Sequence, residues 1–366
     1  MEKFDYVIVG SGLFGAVFAH QMKVRGRSCL VLDRRDHAGG NVFCVNEGGI
    51  QVHKYGAHIF HTNDQKIWDF VNHFVKFNDY SHSPVANYKG KIIPLPFNLN
   101  TFRSIWGITT EAEAREKIAA QTKPFQGKKP QNLEEYALSA LGPDIYELLI
   151  KGYTEKQWGM KAIQLPPFIL KRLPLDYGTQ NQYFKDRFQG IPIGGYNGLI
   201  DGLLEGIEVR LGIDYLKDRK YWEGLGNKIV YTGPIDEYFD FQLGELEYRG
   251  LRFEQIRLEQ PNFQQCAVVN YTDAETPYTR ILEHKHFEFG KQSHTVITKE
   301  FSENWEKGKE PYYPINDQKN QLLFGRYSAL AALEPHVIFG GRLAEYRYYD
   351  MHQVIGSALH KAQLEP

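Results

Sequence analysis

Residues 4–9, FDYVIV, form a short β-rich apolar run that stops at a glycine turn. The next stretch carries Phe14, Val17, Phe18, Gln21 and Met22 at helical spacings and ends at Gly26. Residues 28–32 return to the pattern of a buried strand, and Asp33 stands at its C-terminal end. Strand, turn, helix, strand and acid follow in the order of a dinucleotide-binding unit. Gly10 allows the tight turn, Gly12 admits backbone N–H groups close to a pyrophosphate, and Gly15 lets helix and strand pack closely. The positive end of the helix then faces the phosphates, and Asp33 can accept from ribose hydroxyls.

Further along, residues 42–45 and 50–53 predict a hairpin around Asn46–Gly49. Thr62, Asn63 and Asp64 offer caps for a helix through Ile67, Trp68 and Val71. Residues 91–100, KIIPLPFNLN, are broken by proline and leave the nucleotide unit. Helical patterns occupy 111–122, 133–140 and 143–158. Strands are expected again at 206–211 and 228–232. From 240 to 315 apolar and polar residues alternate, as in a mostly antiparallel sheet that could present Asn270, Arg280 and Tyr313 on one face. A helix over 318–333, a strand at 337–339, a Gly-Gly-Arg turn (340–342) and a helix capped by Asp350 over 351–361 close the chain.

The expected fold class is therefore α/β. Residues 1–80, 195–240 and 318–366 form a discontinuous dinucleotide-binding Rossmann-like domain. A helical insertion domain covers 81–194. A mostly antiparallel β-sheet domain covers 241–317.

Composition narrows the function classes. A formal net charge of −1 with scattered basic residues argues against a nucleic-acid stripe or an anionic-membrane anchor. Cys29, Cys44 and Cys266 are isolated and lack metal or redox spacing. With no signal-peptide pattern at the first strand, the expected location is cytoplasmic. His53, His58 and His61 invite a metal reading, but no i, i+4 pair with an intervening Glu accompanies them, so a polar loop lining a cofactor pocket is expected and no metal.

After Asp33 come Arg34, Arg35 and the Gly39-Gly40-Asn41 loop, which resembles the start of FAD enzymes of the amine-oxidase and glutathione-reductase type. Five longer segments resemble bacterial UDP-galactopyranose mutases: GSGLFG (10–15), HKYGAHIFHTN (53–63), GYTEKQWG (152–159), YTGPID (231–236) and GGRLAEY…YYDMH (340–352).

The resemblance implies reversible ring contraction of UDP-galactopyranose to UDP-galactofuranose without net redox change. Reduced, noncovalent FAD would supply N5 as the nucleophile at the anomeric carbon, giving a flavin-iminium intermediate. It assigns Arg172 and Arg280 to the departing diphosphate, with Arg172 on a mobile substrate loop at about 168–180, and His61 near the flavin ring. Leu149, Tyr153, Thr154, Trp158, Tyr183 and Phe184 fall on the uridine side. Asn270, Tyr313 and Tyr348 lie along the diphosphate and sugar. One position departs from the family pattern: His82 stands where members carry Asn at the substrate site.

The flavin side takes Gly10, Gly12, Leu13, Phe14, Gly15, Asp33 and Arg34. It continues with Gly40, Asn41, His58, Ile59, Asp214 and Tyr215, then Gly341, Arg342 and Asp350. The first turns of the last helix complete it with Met351, His352, Gln353, Val354, Ile355 and Gly356. The resemblance also implies a homodimer and an external reductant such as NAD(P)H. An FAD-dependent amine oxidase or dehydrogenase would share the opening and closing motifs. So would a non-catalytic binding protein of the same nucleotide fold, of the kind seen in GDP-dissociation inhibitors.

Overall fold

The computed structural model describes residues 3–171 and 175–366. It divides into two compact units, one of 1–80, 186–248 and 311–366, the other of 81–185 and 249–310.

The first unit is built on a parallel sheet. β1 (Phe4–Val9) and β2 (Cys29–Leu32) are flanked by strands Gly226–Tyr231, Val337–Phe339 and Glu208–Arg210, in the order Val337–Phe339, Gly226–Tyr231, β1, β2, Glu208–Arg210. All neighbours run parallel, with Val9 between Leu32 and Tyr231. Tyr6–Ile8 and all of β2 are buried, as covered parallel strands should be. Helix α1 (Leu13–Val24) buries Phe14, Val17, Phe18 and Met22 in the core beside the sheet. Each such side chain contributes roughly 1.5–3 kcal/mol. The expected discontinuous Rossmann-like α/β fold is present, with strands from the start, middle and end of the chain sharing one sheet.

Two local details differ from the sequence reading. The hairpin pairs Cys44–Glu47 with Ile50–His53, so its turn is Gly48-Gly49 alone. Both glycines have positive φ (61° and 85°), which suits a two-residue turn, while Val42 belongs to a short 3-10 turn, Gly40–Val42. Strand Lys91–Pro94 lies in the segment expected to be only a proline-broken exit, and it pairs with Val85–Tyr88. Helix Leu99–Trp106 follows, capped by Asn98, whose side chain accepts from the N–H groups of Asn100 (2.9 Å) and Thr101 (3.1 Å).

The second unit carries helices and sheet together, not as the two domains expected at 81–194 and 241–317. Strand Val85–Tyr88 pairs in parallel with Val268–Tyr271, so the helical insertion contributes directly to the sheet. Onward from Val268–Tyr271 the order is Arg280–Glu283, Thr295–Asn304 and Tyr248–Leu258, all antiparallel. The helical run 143–158 is continuous but contains a π segment, Tyr146–Lys151. The boundary also moves: strand Phe188–Gly190 pairs with Phe60–Thr62, which puts 186–194 in the first unit. No helix among the described residues is long and apolar enough to cross a membrane.

Candidate active site

In the first unit two glycine segments face each other. Gly10 has φ 106°, and a Cβ there would lie 2.0 Å from Thr232 Oγ1. A Cβ on Gly15 would lie 1.9 Å from the Gly10 carbonyl, and one on Gly40 2.9 Å from Gly12 Cα. No side chain caps α1, because Gly12 is its N-cap, so the first-turn amides open into a cleft. Gly12, Phe14, Asn41, His58, Arg342 and Met351 are among its lining residues, with Leu13, Gly15 and Gly341 beside them.

The buried Nε of Arg342 and Nδ1 of His352 have no hydrogen-bond partner among the described residues. Amides at a helix N-terminus, glycines where a Cβ would intrude, and orphaned buried nitrogens fit a phosphate-bearing dinucleotide.

The acid at the end of β2 is turned onto the protein. Asp33 Oδ2 accepts from the Ser11 N–H (2.8 Å) and hydroxyl (2.5 Å), and Oδ1 from the Arg35 N–H (2.9 Å). It thereby ties the glycine turn to the strand, leaving part of its acceptor capacity for a ribose. Arg34 beside it is exposed. Asp214 opens the turn Tyr215–Asp218, and the N–H of Ile213 reaches the Asp33 carbonyl at 2.8 Å. Tyr215 is buried, its hydroxyl 3.3 Å from Glu223, and burial pushes its phenol up. Asp214 and Tyr215 lie beside Asp33, outside the cleft lining.

The helix Met351–Leu364 begins at the same cleft. Asp350 donates its N–H to Gln353 Oε1 at 2.9 Å. Met351 and Val354 line the cleft, Gln353 is exposed, Ile355 is in the core, and a Cβ on Gly356 would lie 3.5 Å from Ile67. The run assigned as a block to the cofactor is thus split by helical period between lining and packing. Ile59 is half-buried beside His58.

His61 is 8% exposed, on strand Phe60–Thr62. Its Nδ1 lies 2.5 Å from Asp186 Oδ2, and Asp186 also accepts from the Asn63 amide. Asp186 was not anticipated from the sequence; the signal is the pairing of 60–62 with 188–190. The His352 ring stands edge-on to His61 at 5.1 Å. Burial, then the neighbouring His61, holds His352 below its ordinary pKa. His61, Asp350 and His352 have ligand atoms within 4.8 Å of one another, the grouping that could hold a cation among the described residues.

Arg342 donates to the Tyr312 carbonyl at 3.2 Å. Its guanidinium lies 5.6 Å and 5.2 Å from the rings of Tyr313 and Tyr348, which stack at 5.4 Å. Tyr313 thus stacks with Tyr348, and its short strand, Tyr313–Pro314, is an edge strand of the sheet that carries Asn270 and Arg280.

In the second unit Asn270 and Arg280 are direct cross-strand partners. Arg280 Nη2 donates to Glu300 Oε2 at 2.8 Å, and Glu300 is fully buried. Glu300 was also missed; its place opposite Arg280 on the neighbouring strand depends on register. His82 is buried, its ring 5.8 Å from Phe184 and 5.6 Å from Tyr183, whose N–H reaches the His82 carbonyl at 2.8 Å. Leu149 and Thr154 are buried, while Tyr153 and Trp158 are half-buried on the same helical run. Arg172 and the middle of the 168–180 loop lie outside the described residues.

Comparison with known proteins adds to this geometry. A family model described as UDP-galactopyranose mutase matches residues 148–348, and one described as an NAD(P)-binding Rossmann-like domain matches residues 8–74. The chain is 36% identical to an Escherichia coli dTDP-fucopyranose mutase, over 98% of this chain and 97% of that protein. It is 32% identical to a Mycoplasma pneumoniae UDP-galactopyranose mutase, over 99% of this chain and 96% of that one. A crystal structure of a reduced UDP-galactopyranose mutase superposes with a TM-score of 0.74 at 14% identity, covering 99% of this chain and 96% of that one.

Proposed function

This chain belongs to the UDP-galactopyranose mutase family, and we propose from that premise that it interconverts UDP-galactopyranose and UDP-galactofuranose without net redox change. It is an isomerase and an FAD enzyme, and the first unit's cleft is where FAD fits. When bound and reduced, FAD supplies a nucleophilic ring nitrogen that can hold the anomeric carbon while the sugar opens and recloses.

The chain's own residues position and neutralise. The first-turn amides of α1 and Arg342 hold phosphates and flavin. The first turn of Met351–Leu364 puts the positive end of a helix at the cleft, where it favours a reduced, anionic ring. His61, oriented by Asp186, and the His352 ring beside it stand at that end. Leu149, Tyr153, Thr154, Trp158, His82, Tyr183 and Phe184 form the uridine side, and Asn270, Tyr313 and Tyr348 serve the diphosphate and sugar. Arg172 shares the diphosphate with Arg280. NAD(P)H as reductant, a homodimer and a cytoplasmic location complete the reading and rest on the resemblance.

The observation that carries the reading is Arg280 beside Asn270, fixed by the buried Glu300 at 2.8 Å. A guanidinium held in advance stabilises the charge that develops as a diphosphate leaves, and it does so without reorganising. The test is anaerobic. Dithionite-reduced protein is mixed with UDP-galactofuranose, and the sugar nucleotide is followed by chromatography. Conversion to UDP-galactopyranose without flavin reoxidation is expected; bound flavin with no conversion would refute the assignment.

A second substrate, dTDP-fucopyranose, is favoured by the 36% identity to the Escherichia coli enzyme of that name. The same assay with dTDP-fucofuranose decides it, the reading being overturned if that sugar turns over faster.

A further inference from the structure

We propose that Lys156 is a positioning residue: its ammonium pins the hairpin loop between Asn270 and Arg280 to the helix that carries Tyr153, Thr154 and Trp158. The inference rests on reading this unit as the substrate-binding half of the enzyme.

Lys156 Nζ donates to three backbone carbonyls, those of Tyr271 (2.8 Å), Thr276 (3.0 Å) and Tyr278 (3.1 Å). An ammonium has three donors, so all of them go to this one loop. The loop joins strand Val268–Tyr271 to strand Arg280–Glu283, and Asn270 and Arg280 face each other at its base. It is closed internally by the Tyr271 N–H to the Thr279 carbonyl (2.8 Å). Asp273 adds to the closure by accepting from the Thr276 N–H (2.7 Å) and hydroxyl (3.0 Å). Carbonyls drawn into a turn and away from water need donors, and a charged donor is the strong kind.

The same helix meets the loop a second time, one turn earlier. A Cβ on Gly152 would lie 2.4 Å from the Thr272 carbonyl oxygen and 3.0 Å from the Asp273 carbonyl carbon, so only glycine admits this approach. Thr272 Oγ1 donates to the Leu148 carbonyl at 2.7 Å. Gly152 and Lys156 are four residues apart and share one helix face, while Thr154 and Trp158 share another. One face of the helix therefore grips the loop, and the other carries residues assigned to uridine. This accounts for Gly152 and Lys156, two of the five residues of the GYTEKQWG segment that the substrate assignment leaves unused.

Burial lowers the Lys156 ammonium to about 8, against the opposing pull of Asp273 and Glu275. Tyr271 and Tyr278, whose carbonyls it holds, bring their rings together at 4.7 Å. Lys299 lies over the Tyr278 ring, and Lys89 engages Glu275 at 2.7 Å. As pH rises through about 8 the ammonium is lost and the loop is held less firmly.

The experiment uses the full chain loaded with FAD, as wild type and Lys156→Met, with Lys156→Gln in reserve should the Met variant fail to fold. Hydrogen exchange without nucleotide comes first. Amides of Tyr271, Thr276 and Thr279 should exchange about ten- to a hundredfold faster in the variant, and those of β1 and α1 at the wild-type rate. UDP is then titrated from neutrality upward. Wild-type affinity should fall as pH passes about 8, while the variant binds about tenfold more weakly at neutrality and without that pH dependence. Unchanged loop exchange overturns the pin. A loosened loop with wild-type UDP affinity and the same pH dependence overturns the link to the site. Wild-type protein that binds UDP but turns over no UDP-galactofuranose would count against the mutase reading and leave the pin standing.

Discussion

The two units are braced by different means. The first works mainly through backbone: glycines 10, 12, 15 and 40 bring main chain within reach of a dinucleotide, and Asp33 braces the turn through Ser11. The second works through fixed charge. Arg280 is held by the buried Glu300, Lys156 by three carbonyls, and Arg249 donates to the Gln157 carbonyl at 3.1 Å and the Ser302 hydroxyl at 3.0 Å. A backbone cradle is sensitive to a single added carbon and indifferent to pH. A charge scaffold tolerates small changes in volume but fails when one partner is removed, because the other is then left buried and unpaired.

The sharpest way to break this comparison is at Arg280. Arg280→Ala should lower mutase turnover by about 10²- to 10³-fold, roughly 3–4 kcal/mol of barrier, and leave flavin content intact. Arg280→Lys should recover only part of that loss, since a point charge cannot replace the planar fork. Anaerobic turnover per bound flavin measures both; normal turnover in Arg280→Ala would remove it from the site. In the first unit, Gly15→Ala drives a methyl toward the Gly10 carbonyl. It should cost about 1–3 kcal/mol of stability and release FAD. Thermal unfolding and flavin absorbance check this, and a stable yellow variant would mean the turn relaxes at little cost. Trp158→Ala is milder: UDP binding should weaken about tenfold, ~1.4 kcal/mol, with flavin affinity kept, as calorimetry would show.

The same contrast explains what could be read from sequence. The dinucleotide cradle is local: strand, turn, helix, strand and acid lie within residues 4–41, so periodicity and glycine spacing expose it. The helix N-termini at Gly12 and Asp350 were legible for the same reason. The charge scaffold is not local. Lys156 meets carbonyls 115 to 122 residues away, and Glu300 meets Arg280 only through strand register. Asp186 reaches His61 across 125 residues. No spacing rule encodes such pairs, so Arg280 was reached through resemblance, while Glu300, Lys156 and Asp186 were not found. The division at 81–194 and 241–317 failed likewise, because the parallel pairing of Val85–Tyr88 with Val268–Tyr271 is a long-range event.

The smallest effect sharpens the comparison through pH. His284 in the second unit is buried, its Nε2 2.8 Å from Thr298 Oγ1, and burial lowers its pKa to about 3. The unfolded imidazole titrates near 6.5, so between about 6.5 and 3 the unfolded chain binds the extra proton. Stability from this group is complete above the unfolded pKa and falls as pH drops, with a limiting slope of about 1.4 kcal/mol per pH unit. Glu283 next to it, lowered to about 2 by His286, the Gln264 and Phe263 amides and Thr295 against its own desolvation, adds a loss in the same direction at lower pH. From pH 7 to 6 the His284 contribution is only about 0.7 kcal/mol. Hydrogen exchange at two pH values should therefore show the strands around His284 losing protection first, with β1 and β2 unchanged. His284→Asn should flatten that difference. Equal acid sensitivity in both units would show that the charge scaffold is not what sets the second unit apart.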